Sequence, residues 1–324
     1  MSNKTIVIYD SDALAYRAAA VVDQRSVKIT HKQSGKSRVF KNRTEHKEGL
    51  LLKGKPFDKN DWLFEDKVQP GELSHCLKIL KNQIENINDR LFADEYLMCI
   101  QGKTNFRDRL PLPSQYKGSR VDLARPTHLK EAKMYLYKNH PSLVAKDREC
   151  DDDVIIQGYL YLSKGYTPIL VSQDKDAFAY SELNLYDFTQ EDPKIRLIPF
   201  FGSLWDTGKK ITGEGFLWFC MQLLNGDSTD NYKPCELAGV KFGEASAFKI
   251  LKNCTNEKDA LNVVINKYKE WYPEPFEYKD WTGTIQKADY KFLLDLYFKC
   301  ARMMKHEKDK LDSVKFLDQY GINL

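Results

Sequence analysis

Short apolar runs alternating with helical patterns constrain this chain more than any other feature. The segments TIVIYD (5–10), EYLMCIQ (95–101), PILVSQD (168–174) and LNLYDF (183–188) read as strands, and amphipathic stretches of helical period fall between them. This alternation predicts an α/β fold: a mostly parallel central sheet flanked by helices, with binding positions at the carboxyl ends of its strands. Asp10 and Asp174 occupy such ends.

Two stretches depart from the alternation. Residues 25–66 read as an insertion, a hairpin turning at Ser34-Gly35 followed by a polar, Lys-rich loop. From about residue 206 the strand signal disappears and helical segments dominate, among them FLWFCMQLL, EASAFKILKN, DALNVVINKYKEWY and YKFLLDLYFKCARMM. With 324 residues and 42% hydrophobic content the chain can bury one large core or two modest ones. The expected division is an α/β domain over 1–205, carrying the 25–66 insertion and a basic region at 103–148, and a helical subdomain over 206–324.

No apolar run is long enough to cross a bilayer, and the opening residues lack the pattern of a signal peptide, so a cytoplasmic protein is expected. No oligomerisation signal stands out, which makes a monomer the expectation. Seven cysteines lie far apart without a C-x-x-C pair, and six histidines are scattered. All seven cysteines read as reduced thiols, and any bound metal must be held by carboxylates.

Four acid groups are candidates for that role. Asp10-Ser-Asp12 follows a buried-looking strand, where a carboxylate is costly unless capped, paired or metal-bound; capping of the next helix by Asp12 is the plainer alternative. Glu149, Asp151, Asp152 and Asp153 open a helix, where the dipole alone stabilises acids. Asp174 and Asp176 end a strand, and Asp227 and Asp230 follow an apolar helix at a spacing that a turn also explains. Singly each is weak. Together, in a fold that gathers strand ends and helix starts at one edge, they suit Mg²⁺ or Mn²⁺, and two such ions could activate a water and stabilise both oxygens of a phosphodiester displacement.

The basic residues complement these acids. Residues 103–148 hold eleven Lys and Arg against four acids, and residues 24–60 hold eleven against three. Within the first segment Lys103, Arg107, Phe106 and Tyr116 interleave cations with aromatics, as a nucleic-acid strand requires, although a solvated basic loop would look similar. Lys117 and Arg120, three apart beside Gly118, could neutralise charge developing on a phosphate. Residues 239–246, including Lys241 and Gly243, read as a turn feeding a helix whose amides could receive a duplex phosphate.

In order and approximate spacing, IVIYDSDALAYRA, TNFRDRLPLPSQYKGSR, ECDDDVI, VSQDKDAF and NGDSTDNYKPCELAGVKFG resemble the 5′ nuclease family, and in particular phage-encoded 5′→3′ exonucleases and flap endonucleases. The resemblance covers most of residues 5–20 and 95–252. It implies a 5′ nuclease (PIN-like) fold with a helical arch and a C-terminal helical DNA-binding subdomain. It further implies that Asp10, Glu149, Asp151, Asp152, Asp174, Asp176, Asp227 and Asp230 bind divalent ions, and that Lys117 and Arg120 are the arch cations acting in catalysis. Residues 236–250 would form a helix-three-turn-helix gripping duplex DNA, a site that in the family often takes K⁺. The implied substrate is DNA with a 5′ end or flap, or an RNA–DNA hybrid, and the implied setting is a phage-infected bacterial cytoplasm. Where the family commonly has an Asp before its basic segment this chain has Gln101 and Gly102, and the family's paired turn glycines are Lys241 and Gly243 here.

Three other readings compete. A haloacid dehalogenase-type phosphatase shares a D-x-D after the first strand, but GDSTDN is one residue short of its later motif, and the basic segment would be unexplained. A non-catalytic DNA-binding member of the same fold and a related RNA-cutting nuclease remain open. The charge of the insertion fits either an extended grip on DNA or a dock for a protein partner.

Overall fold

A computed structural model describes residues 4–120 and 124–324. In chain order, β1 (Thr5–Asp10), α1 (Ser11–Val22), β2 (Gln24–His31), β3 (Ser37–Phe40), α2 (Arg43–Leu51), β4 (Trp62–Gln69), α3 (Leu73–Arg90) and β5 (Glu95–Ile100) form the first part. The chain continues through α4 (Leu129–Asn139), β6 (Ser142–Val144), α5 (Cys150–Ser163), β7 (Thr167–Val171), β8 (Asn184–Tyr186), β9 (Ile195–Leu197), β10 (Ser203–Asp206) and β11 (Ile211–Glu214). It closes with α6 (Gly215–Asn225), α7 (Glu244–Leu251), α8 (Glu257–Trp271), β12 (Phe276–Lys279), β13 (Ile285–Ala288), α9 (Tyr290–Ala301) and α10 (Ser313–Asp318). Two compact units emerge: one comprises Met1–Ala13, Asn86–Ala124 and Leu136–Leu324, the other Leu14–Glu85 and Arg125–Tyr135. Among the described residues no helix is long and apolar enough to cross a membrane.

The first unit is built on a six-stranded sheet of order β6-β5-β1-β7-β8-β9, parallel except for β9. Its central strand β1 is buried on both faces from Ile6 to Tyr9, which is why its sequence is continuously apolar rather than alternating. From β1 the chain builds outward on one side through β5 and β6, then crosses to β7 and β8 on the other. The connections therefore change direction at β1, and in open α/β sheets that point opens a crevice beyond the carboxyl ends of the strands. Asp10, the last residue of β1, stands there.

All four expected strands are present, but the short β6 and β9 were not foreseen because three half-buried or exposed residues carry no pattern. The reading that strands cease after residue 206 is corrected by two small antiparallel hairpins, β10–β11 and β12–β13. Four-residue strands with one solvated face present no apolar run. The helices of residues 206–324 lie in the same compact unit as the sheet. Their centre is α6, buried from Gly215 to Leu224 and packed against α7, α8 and α9, which accounts for its apolar residues on every side.

The second unit contains a three-stranded antiparallel sheet of order β3-β2-β4. The hairpin turns at Ser34-Gly35, with the His31 amide donating to the Lys36 carbonyl at 3.0 Å. The expectation of a loop after it is corrected, because α2 and β4 occupy that stretch. Asn42 caps α2 by accepting from the Glu45 amide at 2.8 Å, and the Glu45 carboxylate accepts from the Lys41 amide at 2.7 Å. Most of β4 is exposed, so it lacks the apolar alternation that would have marked it.

Candidate metal centre

Every acid named from the sequence lies in the first unit, but their surroundings sort them into two kinds. The first kind has little or no compensating charge. Asp10, 7% exposed, receives only long contacts: the Ala13 amide at 3.5 Å, the Cys150 thiol at 3.4 Å and the Ser172 hydroxyl at 3.4 Å. The Asp151 carboxylate accepts no hydrogen bond and joins no ion pair within the described residues. Oxygens of Asp10 and Asp151 and the Cys150 sulfur all lie within 4.8 Å of one another. Asp151, Asp174 and Asp176 line a narrow cavity with Ser172. Asp176, Asp227 and Asp230 form a second buried group whose ligand atoms also lie within 4.8 Å.

Charge accumulation shows in the proton affinities. Burial, then repulsion from Asp12 and Asp174, pushes the Asp10 carboxyl up to about 6. Burial and the neighbouring acids likewise hold Asp151 and Asp176 well above the usual carboxylate range. Burial also pushes the Cys150 thiol up, so it serves Asp10 as an S–H donor rather than as a thiolate ligand. Hard oxygen donors in excess of their counter-charge are what a divalent cation of the Mg²⁺ type requires, so the residues fit the expected ions.

The second kind of acid has a cation directly beside it, although burial still holds Asp230 above the usual carboxylate range. Both oxygens of the fully buried Asp152 are occupied: the Arg107 guanidinium donates at 2.6 and 3.1 Å, the Glu149 amide at 3.0 Å and the Met304 amide at 2.9 Å. Four donors fill a carboxylate's acceptor sites, and Asp152 belongs to neither group of close ligand atoms. Glu149 accepts from Lys117 Nζ at 2.5 Å, Asn105 Nδ2 at 3.1 Å and the Tyr116 hydroxyl at 3.2 Å. Asp227 pairs with Lys175 at 3.0 Å; burial opposes its ionisation, but Lys175 outweighs that and lowers its pKa. Asp230 accepts from Arg120 and from the Tyr116 hydroxyl, each at 2.7 Å.

Lys117 and Arg120 thus stand against the acids themselves. Lys117 adopts a left-handed backbone conformation, φ +53°, uncommon for a residue with a side chain, and its amide donates to the Asp230 carbonyl at 2.9 Å. Both cations sit in tight turns, with a 3₁₀ turn at Gly118–Arg120; residues 121–123 of the expected arch region lie outside the described residues.

Two expected DNA contacts are corrected. Arg107 is fully buried and Tyr116 is 3% exposed, so neither presents a surface to a nucleic-acid strand. Their polar character serves the buried acids instead, a role that alternation of cations and aromatics along a sequence cannot reveal. Lys103 and Lys241 are exposed and Gly243 is half-buried, preceding the first turn of α7.

Gln101 and Gly102 entered the sequence reading only as a departure from the family's pattern, and Gln222 and Lys175 were given no role in it. Gln101 bridges two segments, donating to the Arg148 carbonyl at 3.2 Å and accepting from the Cys150 amide at 2.9 Å. At Gly102 a Cβ would lie 1.9 Å from the Ala145 carbonyl oxygen, so no larger residue fits there. The Gln222 amide donates to the Asp176 carboxylate, and the Gln101 amide donates to Asp12 at 3.1 Å. Lys175, between two singled-out aspartates, was the one with a legible signal.

Raised carboxyl pKa values carry a stability consequence. Between the ordinary carboxylate pKa and about 6, Asp10 binds more proton in the folded than in the unfolded state, so metal-free stability falls as pH rises through that window. In EDTA the unfolding temperature should climb on acidification from neutral pH toward about 5. Saturating Mg²⁺ should raise it most at neutral pH and flatten the dependence. A thermal melt insensitive to Mg²⁺ at every pH would count against metal binding.

No protein-family model and no curated protein matches this chain. Among solved structures it is similar to a mutant of the T5 5′-exonuclease, with 12% identity over 94% of this chain and 88% of that one, at a TM-score of 0.46. It is also similar to the bacteriophage T5 flap endonuclease in a complex with DNA and metal ions, with 15% identity over 83% and 86% of the two chains, at a TM-score of 0.44.

Proposed function

We propose that this chain is a divalent-metal-dependent 5′ nuclease that hydrolyses DNA phosphodiesters, as a 5′→3′ exonuclease or a 5′ flap endonuclease. The observation that carries the reading is the set of buried and half-buried carboxylates at the switch point of the sheet, Asp10 and Asp176 buried and Asp151 and Asp174 half-buried, whose mutual repulsion raises Asp10, Asp151 and Asp176. Asp227 and Asp230 would complete a second ion position, and Mg²⁺ or Mn²⁺, two ions in all, is the cofactor we assign. Bound there, the ions would supply Lewis-acid polarisation of the phosphodiester and a nucleophilic water.

The protein's own contribution is positioning and charge. Burial opposes the charge on Lys117, but Glu149 and Asp230 override it and raise its pKa, so the ammonium stays protonated and acts as a fixed cation rather than a proton donor. With Arg120 it would neutralise charge growing on a phosphate oxygen. We assign Arg107 and Asp152 the task of fixing the start of α5, which keeps Asp151 aimed into the acid cluster. We further assign Lys103 and the turn at Lys241 and Gly243 to contacts with DNA, K⁺ to that turn, a monomeric state and a cytoplasmic setting. The 5′ polarity, and an RNA–DNA hybrid as a second substrate, rest only on the resemblance of the motifs to the 5′ nuclease family.

The test is cleavage of a duplex with a labelled 5′ single-stranded flap, beside 3′-flap, blunt and RNA–DNA substrates, with Mg²⁺, Mn²⁺ or EDTA. Metal-dependent cutting restricted to substrates with a 5′ end is expected. Tight binding without cleavage in either metal would favour the non-catalytic reading.

A further inference from the structure

The second unit contains a cleft of about 710 Å³, within the range of ligand sites, between the β3-β2-β4 sheet and α2. Its cationic lining is rich: Lys36, Arg38, Lys53 and Lys55 are exposed and take part in no ion pair within the described residues, Arg38 lying over the Phe40 ring at 5.5 Å. Two cations of the same sheet and its flank are paired instead, Arg43 with Asp66 at 2.6 Å and Lys28 with Glu65 at 3.5 Å. The cleft therefore keeps its positive charge toward solvent, with Glu45 and Asp61 as its only acids.

The floor is aromatic. The His46 ring lies 4.3 Å from Trp62 and 4.9 Å from Phe40, centroid to centroid, and His31 packs on Trp62 at 4.8 Å. Trp62 is only half-buried, leaving ring surface facing the cleft. His46 is 4% exposed, and its Nδ1 is buried with no hydrogen-bond partner, although a buried polar atom ordinarily finds one.

Free cations around a part-open indole match a nucleotide, whose phosphates pair with the cations while its base stacks on the ring. We propose that this cleft binds a single strand of nucleic acid, by one or two bases and their phosphates, as a contact separate from the acid cluster. The choice of nucleic acid rests on the proposed function; the cleft's charge and rings are independent of it.

The test uses the full chain in EDTA, so that binding is read without cleavage, and follows anisotropy of a fluorescein-labelled oligothymidylate across a salt series. Lys53→Ala with Lys55→Ala, both exposed, should weaken binding and reduce the salt slope by about two. Trp62→Leu should weaken it about tenfold and abolish the preference for the oligothymidylate over an abasic strand of equal length. Unchanged affinity and slope in the double lysine variant would overturn the inference, as would full competition by free thymidine monophosphate, which would make the cleft a mononucleotide site. Flap cleavage assayed in parallel separates the two readings. Loss of strand binding in a chain that never cuts would leave the cleft standing and remove the nuclease; normal cutting with unaltered binding would do the reverse.

Discussion

Replacing Asp174 by Asn is expected to cut metal-dependent cleavage by about a hundredfold or more while leaving the fold intact. The Asp174 carboxylate accepts the Asp176 amide at 2.8 Å, an interaction that the carbonyl oxygen of asparagine can retain. Asp174 also adds to the repulsion that raises Asp10, Asp151 and Asp176, so its neutralisation relieves strain in the metal-free protein. Thermal unfolding in EDTA should therefore be unchanged or slightly higher for Asp174→Asn. The stabilisation by Mg²⁺ should shrink, because one hard oxygen ligand has lost its charge. Lewis-acid catalysis contributes several kcal/mol, so turnover should drop by about a hundredfold or more. The measurement is single-turnover cleavage beside equilibrium binding of the same flap substrate. Wild-type rates in the variant would refute the assignment of the acids, whatever the outcome for binding.

Arg107→Ala should instead damage the fold. The guanidinium is fully buried, holds both oxygens of Asp152, donates to the Lys299 and Arg302 carbonyls at 3.0 and 2.8 Å, and lies 3.7 Å from Glu149. Truncation leaves a buried carboxylate without its cation and two carbonyls without their donor, a loss of about 3–5 kcal/mol. Denaturant unfolding should show this as a lower midpoint at an unchanged slope. Adding Asp152→Asn should recover part of it, because the orphaned charge disappears with its partner. Equal destabilisation in the single and double variants would show that the pair is not the source of the cost.

These two residues mark the limits of sequence reading. Asp174 lies three residues beyond an apolar strand that ends at Val171, and because parallel strands are buried on both faces, a run such as PILVSQD announces both the strand and the exceptional acid just after it. Asp10 was legible for the same reason. Arg107 and Tyr116 were misplaced because a cation or a ring in a polar segment reads as surface, and nothing local reports a partner 45 residues away in the case of Arg107 and Asp152. Glu149 and Asp152 matched the expected motif as well as Asp151 did, yet of these three, all at the first turn of α5, only Asp151 has no ion-pair partner among the described residues. The second unit illustrates the same point: its Lys-rich stretch looked like a loop because β4 exposes most of its residues.

What the sequence determined alone was the mostly parallel α/β architecture, the largely helical character of the last third and the set of acids from which a metal centre could be drawn. Periodicity and residue type are local, so a single chain reports them directly. Tertiary structure alone decided which carboxylates keep their charge uncompensated, which cations are spent on holding acids and which remain free, and where an aromatic floor meets lysines in one cleft. Those are matters of distance and burial between residues far apart in the chain, and pairwise electrostatics exist only once the fold has brought them together.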